Sequence, residues 1–251
     1  LILTKNEELH IERCIKSISN LVSEIYVIDS GSTDKTRFIC EKYNVKFFVN
    51  KFYNYANQFN WGLEIMRKHN CNWVLSIDAD EFFTPNLINE IFENFDNDND
   101  KFSGFSFIRK IIFQGKILNF GGISTRQLRL FKANEGYCEN NFMDEHIKVK
   151  GIIKNLNQPF YDYSLKDLTW WTNKHNNYSN REIIDILGLL NKQNSLNAKL
   201  QIETKIKRLI KLNLYNKLPI FVRSIIYFFV RYFLLLGFLD GLRGLVYYFL
   251  Q

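Results

Sequence analysis

Three carboxylates fall within four residues at Asp78-Ala79-Asp80-Glu81, directly behind the apolar run Trp73-Val74-Leu75-Ser76-Ile77. Carboxylate oxygens are the ligands that hard cations such as Mg²⁺ or Mn²⁺ prefer. In extended backbone, residues two apart point the same way, so the spacing predicts that Asp78 and Asp80 reach one divalent cation while Ala79 leaves room for a ligand. The same pattern also fits a strand followed by an acidic turn and the start of a helix. Thr84-Pro85 supplies an N-cap and a first-turn residue, and Leu87, Ile88, Ile91, Phe92 and Phe95 then form one helical stripe. The acidic triplet is therefore expected to be pinned between a buried strand and a packed helix.

The elements that must position it alternate. Leu1-Ile2-Leu3 reads as the end of a strand, followed by Thr4-Lys5-Asn6-Glu7-Glu8 and a helix with Ile11, Ile15 and Ile18 on one face. Ile25 to Ile28 is a second strand, ending in Asp29-Ser30-Gly31-Ser32-Thr33-Asp34 and leading into a helix through Phe38 and Tyr43. Val45 to Val49 is a third, preceding a helix that carries Ala56, Phe59, Leu63 and Met66; the run ending at Asp78 is the fourth. Such alternation implies βαβ units and a parallel sheet, in which ligands bind beyond the C-terminal strand ends. Thr4, Asp29 and Asp78 lie at those ends and are expected to converge on one crevice.

A chain of 251 residues with 46% hydrophobic content can build one sizeable core, or a core with an appendage, and is not disordered in composition. Cys14, Cys40, Cys71 and Cys138 show no paired spacing, which argues against a zinc cluster or a disulfide framework and for a reducing compartment. The chain opens in a strand-like run at Leu1, so further N-terminal residues are expected; no signal peptide is visible. The net charge is +7, and residues 199–251 account for all of it, with nine basic residues against Glu203 and Asp240. That basic tail fits either nucleic acid or an anionic membrane, and its neighbouring residues must decide between them.

In order and spacing, Thr4-Lys5-Asn6-Glu7-Glu8, Asp29-Ser30-Gly31-Ser32-Thr33-Asp34 and Asp78-Ala79-Asp80-Glu81 resemble the nucleotide-sugar domain of glycosyltransferase family 2. The resemblance implies the GT-A fold: an α/β, Rossmann-like, mixed and largely parallel sheet flanked by helices. It also implies roles. Thr4, Asn6 and Glu7 would line the nucleotide pocket, Asp29 would face a uracil base, Asp78 would sit by the ribose, and Asp80 with Asp78 would hold Mg²⁺ or Mn²⁺ on the diphosphate. The family commonly has two acids where this chain has Asp29-Ser30, and a basic residue where Phe59 precedes Asn60-Trp61-Gly62.

Beyond an acidic Asn/Asp-rich loop at 96–100, Phe102 to Ile108, Ile111 to Phe113 and Gln127 to Phe131 read as strands of the acceptor side, with turns at Gly115, Gly121 and Gly122. Arg129 reads either as a phosphate contact or as an exposed strand arginine. An inverting transferase needs a base near the acceptor hydroxyl, and similarity to the family points in Phe142-Met143-Asp144-Glu145-His146 to Glu145, with Asp144 as the alternative. His146 would add a metal ligand or orient a carboxylate; a lone histidine is otherwise structural. The segment from Trp170 to Glu182 resembles the subgroup that includes lipopolysaccharide-core β-1,4-glucosyltransferases; its aromatic residues either stack on sugars or pack against the catalytic domain.

From Leu218 to Leu239 the chain is nearly all apolar, but Arg223 and Arg231 limit the longest uncharged run to eight residues. A spanning helix wants about 20 apolar residues, and a central arginine costs on the order of 3 kcal/mol. These two arginines lie about 80° apart around a helix, so an interfacial membrane helix with a free apolar face is expected. A helix buried against another subunit is the alternative; Leu234-Leu235-Leu236 has no use in binding nucleic acid.

The expected organisation is a GT-A domain over 1–165, divided into a nucleotide-sugar half (1–100) and an acceptor half (101–165), followed by a helical membrane-associated region over 166–251. The expected function is metal-dependent, inverting transfer from a UDP-sugar, UDP-glucose or a similar hexose, to a hydroxyl of a lipid-linked glycan. It would act in bacterial lipopolysaccharide or surface-polysaccharide synthesis at the cytoplasmic face of the inner membrane, as a peripheral or monotopic protein, with an oligomer left open. The competing readings are a transferase acting on polyprenyl phosphate, a nucleotidyltransferase, whose usual glycine-rich loop is absent from Thr4-Lys5-Asn6-Glu7-Glu8, and a non-catalytic glycan-binding protein.

Overall fold

The structure, a computed structural model, describes residues 1–98, 101–139, 146–186 and 220–251. Its opening is β1 (Ile2–Thr4), α1 (Ile11–Ile18), β2 (Tyr26–Asp29), α2 (Thr36–Lys42), β3 (Lys46–Val49) and α3 (Tyr55–Lys68). Next come β4 (Trp73–Leu75), β5 (Ile77–Asp78), β6 (Glu81–Phe82) and α4 (Pro85–Asp98). The first sheet has the order β3-β2-β1-β5 and is parallel throughout. Side chains alternate across it as the pleat requires: Val27 joins the core under α1, α2 and α4, whereas Tyr26 and Ile28 join the one under α3. α1 buries Ile11, Cys14, Ile15 and Ile18, a single stripe at helical spacing. α3 starts at Asn54, whose side chain accepts from Asn57 N–H at 2.7 Å, and α4 starts behind Thr84, whose Oγ1 accepts from Leu87 N–H at 3.3 Å.

The expected fourth strand is two strands in two sheets. β4 runs antiparallel to β9 (Thr125–Lys132), and β5 runs parallel to β1. The switch falls at Ser76, whose N–H reaches Arg129 O at 2.7 Å while the next N–H, of Ile77, reaches Leu1 O at 3.2 Å. The apolar run is continuous because both halves are buried, and so its letters do not record the change of partner.

The second sheet has the order β4-β9-β7-β12-β6, with β7 (Gly104–Phe113) also pairing β8 (Lys116–Leu118). It is mostly antiparallel, so "largely parallel" holds for the first sheet alone. β7 runs unbroken through Arg109 and Lys110, where two strands were expected. β12 (Ile153–Asp162) lies parallel to β7 and was not foreseen, because Asn155, Asn157, Gln158 and Pro159 interrupt its apolar pattern. Its register shifts between Asn155 and Pro159, and Glu90 of α4 accepts the freed N–H groups of Asn157 (2.8 Å) and Gln158 (2.7 Å). A separate pair, β10 (Gly136–Cys138) and β11 (Ile147–Val149), completes this part.

The chain divides into two compact units, Leu1–Leu118 with Ile123–Asp167, and Leu168–Gln251 with Asn119–Gly122. The short piece at 119–122 was expected in the first. The second unit holds α5 (Leu168–Ile186) and two C-terminal helices, Ile220–Phe229 and Gly241–Leu250. In it Trp171 stacks on His175, ring centroids 3.6 Å apart, and lies 5.8 Å from Tyr247.

Candidate active site

The loops after β1 and β2 are laced together. Asn6, with φ of 55°, donates its N–H to Ser32 Oγ (2.7 Å) and accepts from Thr33 N–H through Oδ1 (2.8 Å). Glu7 N–H reaches Thr36 Oγ1 at 2.8 Å, Glu8 N–H reaches Asp34 at 3.0 Å, and Glu8 accepts from Lys35 N–H at 3.0 Å. Gly31 takes φ of 84°, and Lys5 Nζ donates to its carbonyl. This lacing explains why short polar residues cluster after two successive strands.

Asp29 is the anchor of that arrangement. It is 2% exposed and accepts from Gly31 and Ser32 N–H at Oδ1 (2.8 and 2.6 Å) and from Thr4 and Ser32 hydroxyls at Oδ2 (2.9 and 2.5 Å). A carboxylate has about four acceptor sites, and these four bonds take them up. Asp29, expected to face a base, fixes the shape of the loop through these bonds. Thr4, also buried, is tied to it.

Glu7 joins these loops to the segment after β12. Its Oε1 accepts from Lys166 Nζ at 2.8 Å and its Oε2 lies 2.6 Å from His10 Nδ1. Leu165 N–H, which can only donate, points at His10 Nε2 at 2.7 Å, so the imidazole proton in the neutral ring sits on Nδ1 and faces Glu7. Burial works against ionisation of Glu7, but the bonds from His10 and Lys166 hold its pKa below the ordinary glutamate value.

At the acidic triplet the strand stops at Asp78 and the chain turns through Ala79-Asp80 into β6. Asp78 and Asp80 therefore do not share one face of an extended strand: Asp78 N–H bonds Glu81 Oε2 at 2.9 Å and closes a turn. The main chain at Asp80 is fixed from outside, its carbonyl accepting from Arg13 and from Tyr163 N–H, each at 3.0 Å. Both aspartates are partly exposed.

Arg129, 5% exposed, donates to Asp78 Oδ2 at 3.1 Å and to Glu81 Oε1, and Glu81 is 1% exposed. Burial disfavours the cation, but Glu81 and then Asp78 push its pKa up, so it stays charged. Arg129 is therefore not an exposed strand arginine; it is buried and aims the Asp78 carboxylate. Glu81 was missed as a site residue, although a signal existed. Ala79, Glu81 and Phe83 alternate as one buried face, and a charge in that series requires a buried partner of opposite sign.

The metal set expected from sequence, Asp80, Asp78 and His146, is not assembled. Among the described residues no group of three or more His, Cys, Asp and Glu side chains is placed to hold an ion. Asp80 sits on the turn beyond the strand end at Asp78, and exposed His146 leads into β11. What remains, two partly exposed carboxylates at a strand end and the next turn, fits a hard cation that takes its other ligands from phosphate and water. Asp144 and Glu145 lie outside the described residues.

The sequence profile of Glycosyl transferase family 2 matches residues 1–146, which span both loops and the acidic turn. The chain belongs to this family. An uncharacterized glycosyltransferase of Rickettsia bellii is 29% identical over 204 residues, 74% of this chain and 66% of the relative, so the chain spans just under two thirds of that relative's length. The Rhizobium meliloti protein named lipopolysaccharide core biosynthesis glycosyltransferase LpsC is 28% identical over 161 residues, 61% of this chain and 58% of its own. Among solved structures, S. aureus TarS 1-349 in complex with UDP-GlcNAc is 14% identical with a TM-score of 0.47, over 99% of this chain and 88% of that one.

Proposed function

We propose that this family 2 protein transfers a sugar, with inversion, from a UDP-sugar to a hydroxyl of a lipid-linked glycan in bacterial lipopolysaccharide or surface-polysaccharide synthesis. UDP-glucose or a similar hexose donor suits the reading. The observation that carries it is the convergence of Thr4, Asp29 and Asp78 at the C-terminal ends of adjacent parallel strands, with Asp80 on the turn beyond them. The likeness to LpsC supports the glycan class.

In this reading the laced loops present backbone and Asn6 to the nucleoside, and Asp78, aimed by Arg129, meets the ribose. Asp80, with Asp78, would hold Mg²⁺ or Mn²⁺, which when bound neutralises charge on the departing diphosphate. Glu145, with Asp144 as the alternative, takes the proton from the acceptor hydroxyl as its oxygen attacks the anomeric carbon opposite the leaving UDP. The basic stretch 199–251 faces an anionic membrane at the cytoplasmic side, where a lipid-linked acceptor is found.

UDP release from a panel of UDP-sugars tests the proposal, with Mn²⁺ or EDTA and with detergent-extracted bacterial glycolipids as acceptors. Release that needs both metal and acceptor, and is lost in Asp80→Ala, is the expected result. Tight nucleotide binding without release across a broad acceptor panel would overturn the transferase reading, and no binding at all would remove the cleft assignment.

A further inference from the structure

The second unit carries an exposed apolar surface on its C-terminal helices. Its C-terminal part is two arms, Val222–Leu234 and Gly237–Leu250, bent by 74° at the break between them. The bend is built in. Val230–Leu234 forms a π-helical turn, Leu236 takes φ of 60°, and Gly237 packs so closely on Tyr248 and the Arg231 carbonyl that a Cβ there would meet atoms at 2.6 Å. Two of the four charged side chains in these arms, Asp240 and Arg231, act as struts. Asp240, 2% exposed, accepts from Asn119 and Phe120 N–H, both at 3.1 Å; Arg231 donates to Gly121 O at 2.8 Å; and Tyr248 donates to Phe120 O at 2.8 Å. The spacing of Arg223 and Arg231, about 80° around a helix, predicts one helix with both on a shared face. In the structure Arg231 holds a bent pair to the 119–122 loop.

With those groups turned inward, Ile225, Phe229, Leu234, Leu239, Leu242 and Phe249 are left between 50% and 74% exposed. So much exposed apolar surface marks an interaction site. The two arms joined are apolar enough to cross a bilayer, although among the described residues no single helix is long and apolar enough to do so. At about 1.5 Å per residue each arm is roughly 20 Å long, against about 30 Å of hydrocarbon. Bent by 74°, the pair still extends roughly 32 Å end to end, but its bend is tied to main-chain groups of the 119–122 loop, which a spanning pair would have to carry into the hydrocarbon. That tie and this composition match insertion into one leaflet.

We propose that Val222–Leu250 is a monotopic anchor, a bent helical pair that seats its Leu, Ile and Phe side chains in the acyl chains of one leaflet of an anionic membrane, with Asp240 and Arg231 holding the bend. This deepens the membrane partner of the preceding reading and rests on it only for the choice of a lipid surface.

The test is flotation of the full chain with phosphatidylglycerol/phosphatidylcholine vesicles in 1 M NaCl, without donor or metal. Binding should survive the salt, and Leu242→Glu/Phe249→Glu should lower the partition coefficient by roughly tenfold or more, as expected when buried apolar side chains are removed from lipid. Phe38→Glu, on the exposed face of α2, should leave it unchanged. Hydrogen exchange of the unaltered chain should slow across 222–250 when vesicles are added, which keeps the test valid if the double variant misfolds. Binding that salt removes, or exchange that vesicles do not alter, would overturn the proposal. So would unchanged flotation of the double variant accompanied by a fall in native mass, which would make the patch a subunit interface. A chain that floats as expected but releases no UDP keeps this inference and loses the transferase reading.

Discussion

Arg129→Met is the perturbation that most directly tests how the acidic turn is built. Methionine keeps much of the arginine stem but removes the donor shared by Asp78 and Glu81. Glu81, 1% exposed, would be left as a buried carboxylate with Asp78 N–H as its remaining partner. Breaking a buried pair from one side costs about 3–5 kcal/mol because the other charge is uncompensated. The stacking of Arg129 over the Phe160 ring, at 5.3 Å, adds about 0.5–1 kcal/mol. For a domain of this size about 1 kcal/mol corresponds to 2–4 °C, so the midpoint should fall by roughly 7–24 °C. Arg129→Met/Glu81→Gln removes the charge on both sides while the amide oxygen still accepts from Asp78 N–H, and it should recover about 2 kcal/mol or more of the loss. Urea denaturation followed by far-UV circular dichroism measures all three proteins. A single variant costing under about 1 kcal/mol, or a double variant no more stable than the single, would refute the reading of this pair as an isolated, mutually dependent unit.

Asp29→Ala should cost about 2–4 kcal/mol by leaving the Gly31 and Ser32 N–H groups without their acceptor, and it should weaken UDP binding in calorimetric titration. Asp29→Asn, which keeps an acceptor oxygen, should lose less. Glu145→Gln should lower transfer to a hydroxyl acceptor by about 10²–10⁴ with donor binding retained, as expected for loss of a general base, whereas a phosphate acceptor would make the change nearly silent. Glu7 and Asp34 are both held below their ordinary carboxylate values against the effect of burial, Glu7 by His10 and Lys166 and Asp34 by Thr36 and Glu8. Their stabilisation is therefore complete above the unfolded carboxylate pKa of about 4 and is lost as pH falls below it. Amide exchange of residues 4–10 and 30–36, corrected for intrinsic rate, should show protection that falls between pH 5 and 3 and is flat above.

Local pattern carried the strand ends and the helices, and non-local pairing hid what connects them. Thr4, Asp29 and Asp78 could be placed because each closes an apolar run before a polar loop, and α3 and α4 because their buried stripes and N-caps lie within a few turns of one another. The break at Ser76 left no trace, since β4 and β5 are equally apolar and only their partners, β9 and β1, differ. β12 was concealed by the Asn and Gln residues around its register shift, whose backbone is satisfied by Glu90, more than 60 positions earlier. Polarity there reports a side-chain acceptor on a neighbouring helix, which no window along the strand contains.

The same distinction separates the charges that can act on a ligand from those that cannot. A sequence counts carboxylates alike, but Asp29 and Glu81 are almost fully buried and bonded within the protein, whereas Asp78 and Asp80 remain partly exposed. Burial of a carboxylate is tolerated only when its acceptor sites are filled, and the groups that fill them then fix loops and turns in place. For Asp29 those groups are the two N–H donors and two hydroxyls of the loops; for Glu81 they are Arg129 and the Asp78 N–H. Of the acids in these motifs, one set is spent on shape, and the pair at 78 and 80 stays partly exposed, where the proposed reading puts a nucleotide diphosphate and its cation. Replacing a buried member should therefore depress stability and activity together, while replacing Asp80 should depress activity with little change in the unfolding midpoint.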